Sequence, residues 1–183
     1  MLFGITGTNG SGKGAVVEYL VSKKGYSHYS ARTVILEALN QAHLPSTKEN
    51  MRTVANTLRK EHGASYIIEQ LYAMAKEDTN AVIESIRTIG EAEFLKKNNA
   101  KIIAVDAEKK TRFERVANKG LQLDHMSFED FGRIEDREMA SSDPWDMNVF
   151  GVIQLADAKI MNDGTLEDLR AKIDQVLATF VQA

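Results

Sequence analysis

The chain has 183 residues, 43% of them hydrophobic and 27% charged, which is enough for one substantial core and too short for two ordinary domains. A net charge of −3 and a pI near 5.8 exclude a general polyanion binder, because nucleic-acid affinity is mostly phosphate neutralisation by clustered Lys and Arg. With no cysteine, no signal-peptide pattern and no apolar stretch of the ~18 to 20 residues that span a bilayer, the expectation is a cytoplasmic protein without disulfides, thiolate metal sites or membrane partners.

Leu2-Phe3-Gly4-Ile5-Thr6 is a short apolar run that stops at a glycine cluster, and Ala15 to Val21 then takes up helical periodicity ending near Gly25. The chain therefore opens as strand, loop, helix. A weaker strand is predicted over Ser27 to Ser30. Apolar runs at Ala81-Val82-Ile83, Lys101 to Val105 and Ala158 to Met161 read as buried strands, each followed by a helical pattern. Helix starts are marked by capping boxes at Ser46 with Glu49 and Thr88 with Glu91, and by a looser version at Thr165 with Asp168. Strands separated by helices imply an α/β fold with a parallel sheet covered on both faces. Helical segments without an intervening strand, roughly Thr33 to Lys76 and Glu108 to Ala140, are expected outside the sheet layer as insertions in a single domain spanning 1–183. Ser141-Ser142-Asp143-Pro144 is the clearest loop signal in the second half.

Gly7-Thr8-Asn9-Gly10-Ser11-Gly12-Lys13 fits G-x-x-x-x-G-K, and it lies between the first strand and the first helix. A triphosphate is wrapped by successive backbone N–H groups, which needs glycines where a Cβ would collide, and the following helix adds its unpaired N–H groups and positive dipole end. Lys13 supplies the point charge on the β- and γ-phosphates. Gly7 to Ala15 are thus the predicted nucleotide contacts, with ATP and Mg²⁺ as the cofactors. A dinucleotide fingerprint, Gly10-Ser11-Gly12-Lys13-Gly14-Ala15, overlaps the loop in a poor register: the strand ends three residues too early, and no acidic residue stands near Ser30 to hold a ribose. Gly14 and Ala15 also lack the hydroxyl that usually binds magnesium after the lysine, so metal must be held by water, phosphate oxygens and a carboxylate from elsewhere.

Leu58 to Gly63, Glu84-Ser85-Ile86-Arg87, Lys110 to Arg115, and Leu155-Ala156-Asp157 with Asn162-Asp163-Gly164 follow in order across nearly the whole chain. With these patches the chain resembles the nucleoside monophosphate kinase group of P-loop phosphotransferases, especially the archaeal-type dephospho-CoA kinase-like proteins and their adenylate kinase relatives. The resemblance implies a five-stranded parallel core, a helical acceptor-binding insertion at about 31–78, and a mobile lid at about 112–140. It also implies ATP-dependent transfer to a small-molecule nucleotide acceptor, either a nucleoside monophosphate or dephospho-CoA. Glu84 takes the place of Asp in the family's D-G-x-x-R segment, where a carboxylate supports Mg²⁺ or orients the acceptor. Arg87 matches the acceptor-phosphate arginine, with Arg32 or Arg59 as a second cation. Arg115 and Arg137 are the favoured lid arginines among Arg112, Arg115, Lys119, Arg133 and Arg137, and Asn162 and Gly164 fall in the adenine loop.

Plainer readings stand beside these. Glu84 and Arg87 suit surface charges, the lid bases suit ion pairs with Glu108, Glu114, Glu129, Asp130, Glu135, Asp136 and Glu138, and Asn162-Asp163-Gly164 suits a simple turn. Trp145 reads as a base-stacking residue or a hydrophobic cap. His28, His43, His62 and His125 show no metal-ligand spacing. The acceptor segment departs from the family, with Thr33 at its Asp position and Leu36 at its arginine position, and Arg32 is the nearest substitute. The rival to a kinase is an ATP-binding switch or slow ATPase.

Overall fold

The computed structural model describes residues 1–118 and 127–181. Lys119, the polar stretch 120–126 and His125 within it lie outside the described residues. The strands are β1 (Leu2–Gly7), β2 (Ser27–Ser30), β3 (Ala81–Glu84), β4 (Lys101–Asp106) and β5 (Ala158–Met161). They form one sheet in the order β2-β3-β1-β4-β5 with every neighbouring pair parallel, so each connection must cross over. This is the α/β fold expected of a P-loop kinase, with β1 at its centre.

Alternation along the central strands feeds two cores. Phe3, Ile5, Val82, Ile103 and Val105 pack against Val16, Val17 and Leu20 of α1 (Lys13–Lys24) and Leu169 and Ile173 of α9 (Leu166–Val181). Ala81, Ile83 and Ile102 face the other way, onto α2 (Ala31–Gln41), α3 (Lys48–His62), α4 (Tyr66–Ala75), α5 (Ile89–Lys97) and α8 (Val149–Gln154). The remaining helices, α6 (Lys109–Ala117) and α7 (Phe128–Met139), are joined by edge-to-face contacts of Phe113 with Phe128 and Phe131.

The expected insertion at 33–76 divides in the structure. Its last helix, α4, is a sheet-covering helix, because Ile67, Ile68, Leu71 and Ala75 form one apolar stripe buried in the same core as Ile83. The first expected cap shifts by one residue. Thr47, not Ser46, accepts the helix N–H from Asn50, and the Asn50 amide turns back to the Pro45 carbonyl at 2.9 Å. Both other caps form. Thr88 and Glu91 make a reciprocal capping box, and Thr165 and Asp168 exchange the same two bonds at 3.2 and 2.9 Å. Among the described residues no helix is long and apolar enough to cross a membrane.

Candidate active site

The loop after β1 is shaped by positions where only glycine fits. Gly10 has φ 79°, and a Cβ there would stand 2.4 Å from the Arg112 carbonyl oxygen; Gly12 has φ 95°, and a Cβ there would stand 2.2 Å from the Asn162 amide nitrogen. Gly14 meets nothing within 4 Å, so its lack of a side chain is not imposed by packing. Lys13 folds back over the loop, donating to the Gly7 and Thr8 carbonyls at 3.0 and 2.7 Å. Burial, followed by the Arg87 charge, pulls its pKa down to about 7, against the opposing pull of Glu138 and Glu84. An ammonium parked on carbonyl oxygens and short of negative charge fits a triphosphate.

Contacts from distant segments fix the loop. The Thr8 hydroxyl donates to Asp106 at 2.7 Å, at the end of β4. Burial would raise the Asp106 pKa, but bonds from Thr8, the Ala107 N–H and Lys159 hold it below the usual carboxylate range. The Asn162 amide donates to the Ser11 carbonyl at 2.8 Å, so it shapes the loop from behind. Arg112 is buried; it donates to the Ala107 and Asn9 carbonyls and forks onto Glu135 of α7. Sequence reasoning missed Asp106; it counted Arg112 among the lid bases with Glu135 among their possible ion-pair partners, and Arg112 does pair with Glu135, while its bond to Asn9 had no local signal.

Two cavities flank the loop. The first, of about 710 Å³, opens between the loop and the segment after β5, and is lined by Gly10, Gly12, Gly14, Ala15, Arg115, Asn162 and Gly164. One terminal nitrogen of Arg115 is buried without a hydrogen-bond partner among the described residues. The second, of about 390 Å³, lies on the β3 side between α2, α3 and α7, and is lined in part by Asn9, Arg32, Lys48, Arg52, Glu84, Ser85, Arg87 and Glu138. Apolar Ile35, Met51, Ala55, Ile134 and Met147 complete its walls.

Glu84, at the end of β3, accepts from the Ser30 hydroxyl at 2.9 Å and lies 3.4 Å from the His28 ring nitrogen, both on the neighbouring β2. The next residue, Ser85, has φ 72°, a left-handed conformation that costs a non-glycine residue about 1–2 kcal/mol. Arg87 is gripped by its backbone: its N–H donates to Glu91 at 2.7 Å and its carbonyl accepts from the Asn148 N–H at 2.8 Å. One terminal nitrogen of its guanidinium is buried without a hydrogen bond, facing Glu138 at 3.6 Å.

Other predicted residues are placed differently. Arg59 lines the second cavity but is committed to Glu91, with Nε and one terminal nitrogen at 2.8 and 2.7 Å and both side chains almost fully buried. It is a rivet, not a free cation. Arg137 is exposed and lines neither cavity; Ile134 and Glu138 of the same helix, α7, line the second cavity instead. Arg32 lines the cavity mouth as an exposed side chain, without an ion pair among the described residues. Arg52, which sequence reasoning did not select, is held by Asp146 at 2.6 Å. Trp145 lies away from both cavities, in a small cleft against Thr53, Asn56 and Lys60.

Comparison with known proteins agrees with this geometry. A family model described as an AAA domain matches residues 6–130, more than half of the chain. A UPF0200 protein of Methanococcus vannielii is 31% identical over 185 residues, covering 96% of each chain. The chain belongs to the UPF0200 family of AAA-domain proteins. Among solved structures, shikimate kinase from Bacteroides thetaiotaomicron superposes on this UPF0200 chain with a TM-score of 0.63 at 14% identity, covering 97% of this chain and 98% of the kinase. Dephospho-CoA kinase from Campylobacter jejuni gives a TM-score of 0.55 at 17% identity, covering 97% and 96%. These likenesses establish a P-loop kinase-like fold for the UPF0200 chain.

Proposed function

We propose that this protein transfers the γ-phosphoryl group of ATP to a nucleotide or nucleotide-derived acceptor. The observation that carries this reading is Arg87, held by its backbone in the lining of the second cavity, with a buried guanidinium nitrogen that makes no hydrogen bond among the described residues. A buried donor without a partner is costly unless an anionic ligand completes it. The loop from Gly7 to Ala15 holds the donor phosphates, and Arg115 faces the donor nucleotide from the first cavity. Magnesium, when bound, neutralises charge on the phosphates. Without a hydroxyl at Gly14 or Ala15, the residue suited to support it is Glu84, through water.

In the transfer an acceptor oxygen bonds to the γ-phosphorus, the bond to the bridging oxygen breaks, and ADP leaves. A phosphate acceptor arrives already deprotonated, held by Arg87 with Arg32 nearby. A ribose hydroxyl would need its proton taken, and Glu84, oriented by Ser30, is the group for that. A cavity of about 390 Å³ with several cations in its walls favours a nucleoside monophosphate over the bulkier dephospho-CoA.

The test is ADP release with magnesium, screened against ribo- and deoxyribonucleoside monophosphates and dephospho-CoA, with products identified by mass spectrometry. At least one nucleoside monophosphate should yield its diphosphate, and Arg87→Ala should lower acceptor kcat/KM at least ~100-fold while ATP binding persists. ATP binding with ADP release at background for every acceptor would replace this reading with the ATP-dependent switch.

A further inference from the structure

The lid helix places a carboxylate where an acceptor anion would sit. Glu138 reaches Arg87 from α7, and the two side chains are 26% and 24% exposed. Their closest approach, 3.6 Å, is beyond hydrogen-bond reach, and the facing guanidinium nitrogen has no other partner. The Arg87 backbone is held in place, because its N–H and carbonyl are both bonded. A partly buried pair that makes no hydrogen bond occupies the position while leaving it open to a ligand that can bond the guanidinium better.

On the reading that this cavity takes the acceptor, we propose that Glu138 is a built-in competitor for the anion position at Arg87, so that an acceptor anion binds only by displacing it. Displacement charges the same penalty to every incoming anion. An isolated phosphate has only the bond to Arg87 to set against that penalty. A nucleotide recovers the penalty twice over. Its phosphate dianion can approach Arg87 to the ~2.7–2.9 Å of a charge-assisted bond, which the tethered carboxylate does not reach. Its base and sugar gain the apolar wall of Ile35, Met51 and Met147. The apolar wall favours a phosphate attached to a body, and Glu138 weakens bare and attached phosphate alike.

Calorimetric titration of inorganic phosphate and of AMP into the full chain tests this, without any need for turnover. Glu138→Gln removes the charge while keeping the shape, and should tighten both ligands by a common factor of about two to five. Asp136→Asn, which removes an equal charge from an exposed position on the same helix, should change affinity less than about twofold. In an Arg87→Ala background the Glu138→Gln gain should vanish, which marks the effect as acting through that pair. If AMP binding needs Arg87 but Glu138→Gln leaves it unchanged or weaker, the displacement inference is overturned and the acceptor reading stands. If AMP does not bind, or binds equally well without Arg87, both are overturned.

Discussion

Lys13 faces opposite demands in the free and nucleotide-bound chain. Its pKa of about 7 reflects burial and the neighbouring Arg87 charge in the absence of phosphate. At pH 8 the free side chain is therefore mostly neutral, whereas beside a triphosphate the ammonium is favoured and the pKa must rise. ATP binding should then take up close to one proton at about pH 8 and almost none at about pH 6, where Lys13 is already charged. Calorimetry in buffers of different ionisation enthalpy reads this directly, and Lys13→Met should abolish the uptake. Equal proton uptake in the variant would place the titrating group elsewhere. At this scale the loop was legible because its pattern is contiguous: Gly10, Gly12 and Lys13 each need a residue type that the local backbone dictates. Asp106 and Arg112 were not, since they reach Thr8 and Asn9 across 98 and 103 residues. Glu138 was read as one more solvated charge, because nothing in the sequence says which face of α7 meets the cavity.

Helix α3 presents Lys48, Met51, Arg52, Ala55 and Arg59 at successive turns, so a single face lines the acceptor cavity. The last of these ties the helix to the site. Glu91 accepts Arg59 on one oxygen and the N–H groups of Arg87 and Thr88 on the other, so one buried carboxylate closes the α5 cap and fixes the Arg87 backbone. The Thr88-Glu91 box could be read from sequence because it is local; Arg59 was misjudged as a phosphate ligand because its partner lies 32 residues away. The same limit applied to α4, whose apolar stripe was visible while its seat on the sheet was not. Leaving Glu91 buried without its cation should be expensive: Arg59→Met is expected to cost about 3–5 kcal/mol in urea unfolding. Arg59→Lys, which keeps the charge but loses the fork, should cost less. Acceptor affinity should fall in both while ATP affinity holds. A stable Arg59→Met protein with normal acceptor binding would show that Glu91 positions Arg87 without help from α3.

Across the molecule, the chemistry collects at the carboxyl ends of β1, β3 and β4, where parallel α/β sheets open their crevices: the phosphate loop, Glu84 with Arg87, and Asp106. The two cavities sit on opposite sides of that loop, and the α6–α7 unit touches both. It sends Arg115 into the nucleotide side and Glu138 with Ile134 into the acceptor side, and Arg112 clamps it to the loop through Asn9 and Glu135. Nucleotide alone gives α6 a partner for the unsatisfied Arg115 nitrogen, but leaves Glu138 in place on Arg87. Acceptor alone displaces Glu138, but leaves Arg115 unsatisfied. Only with both cavities filled do both ends of the unit gain ligand contacts, so ordering should be more than additive. Hydrogen exchange followed by mass spectrometry on peptides from 109–117 and 128–139 measures this, with a non-hydrolysable ATP analogue, AMP, and a dinucleoside pentaphosphate that spans both cavities. The spanning ligand should slow exchange in both peptides beyond the summed effect of the other two. Full protection by the ATP analogue alone would mean that α6–α7 responds to the donor site only, as a nucleotide switch would, and would weaken the case for an acceptor in the second cavity.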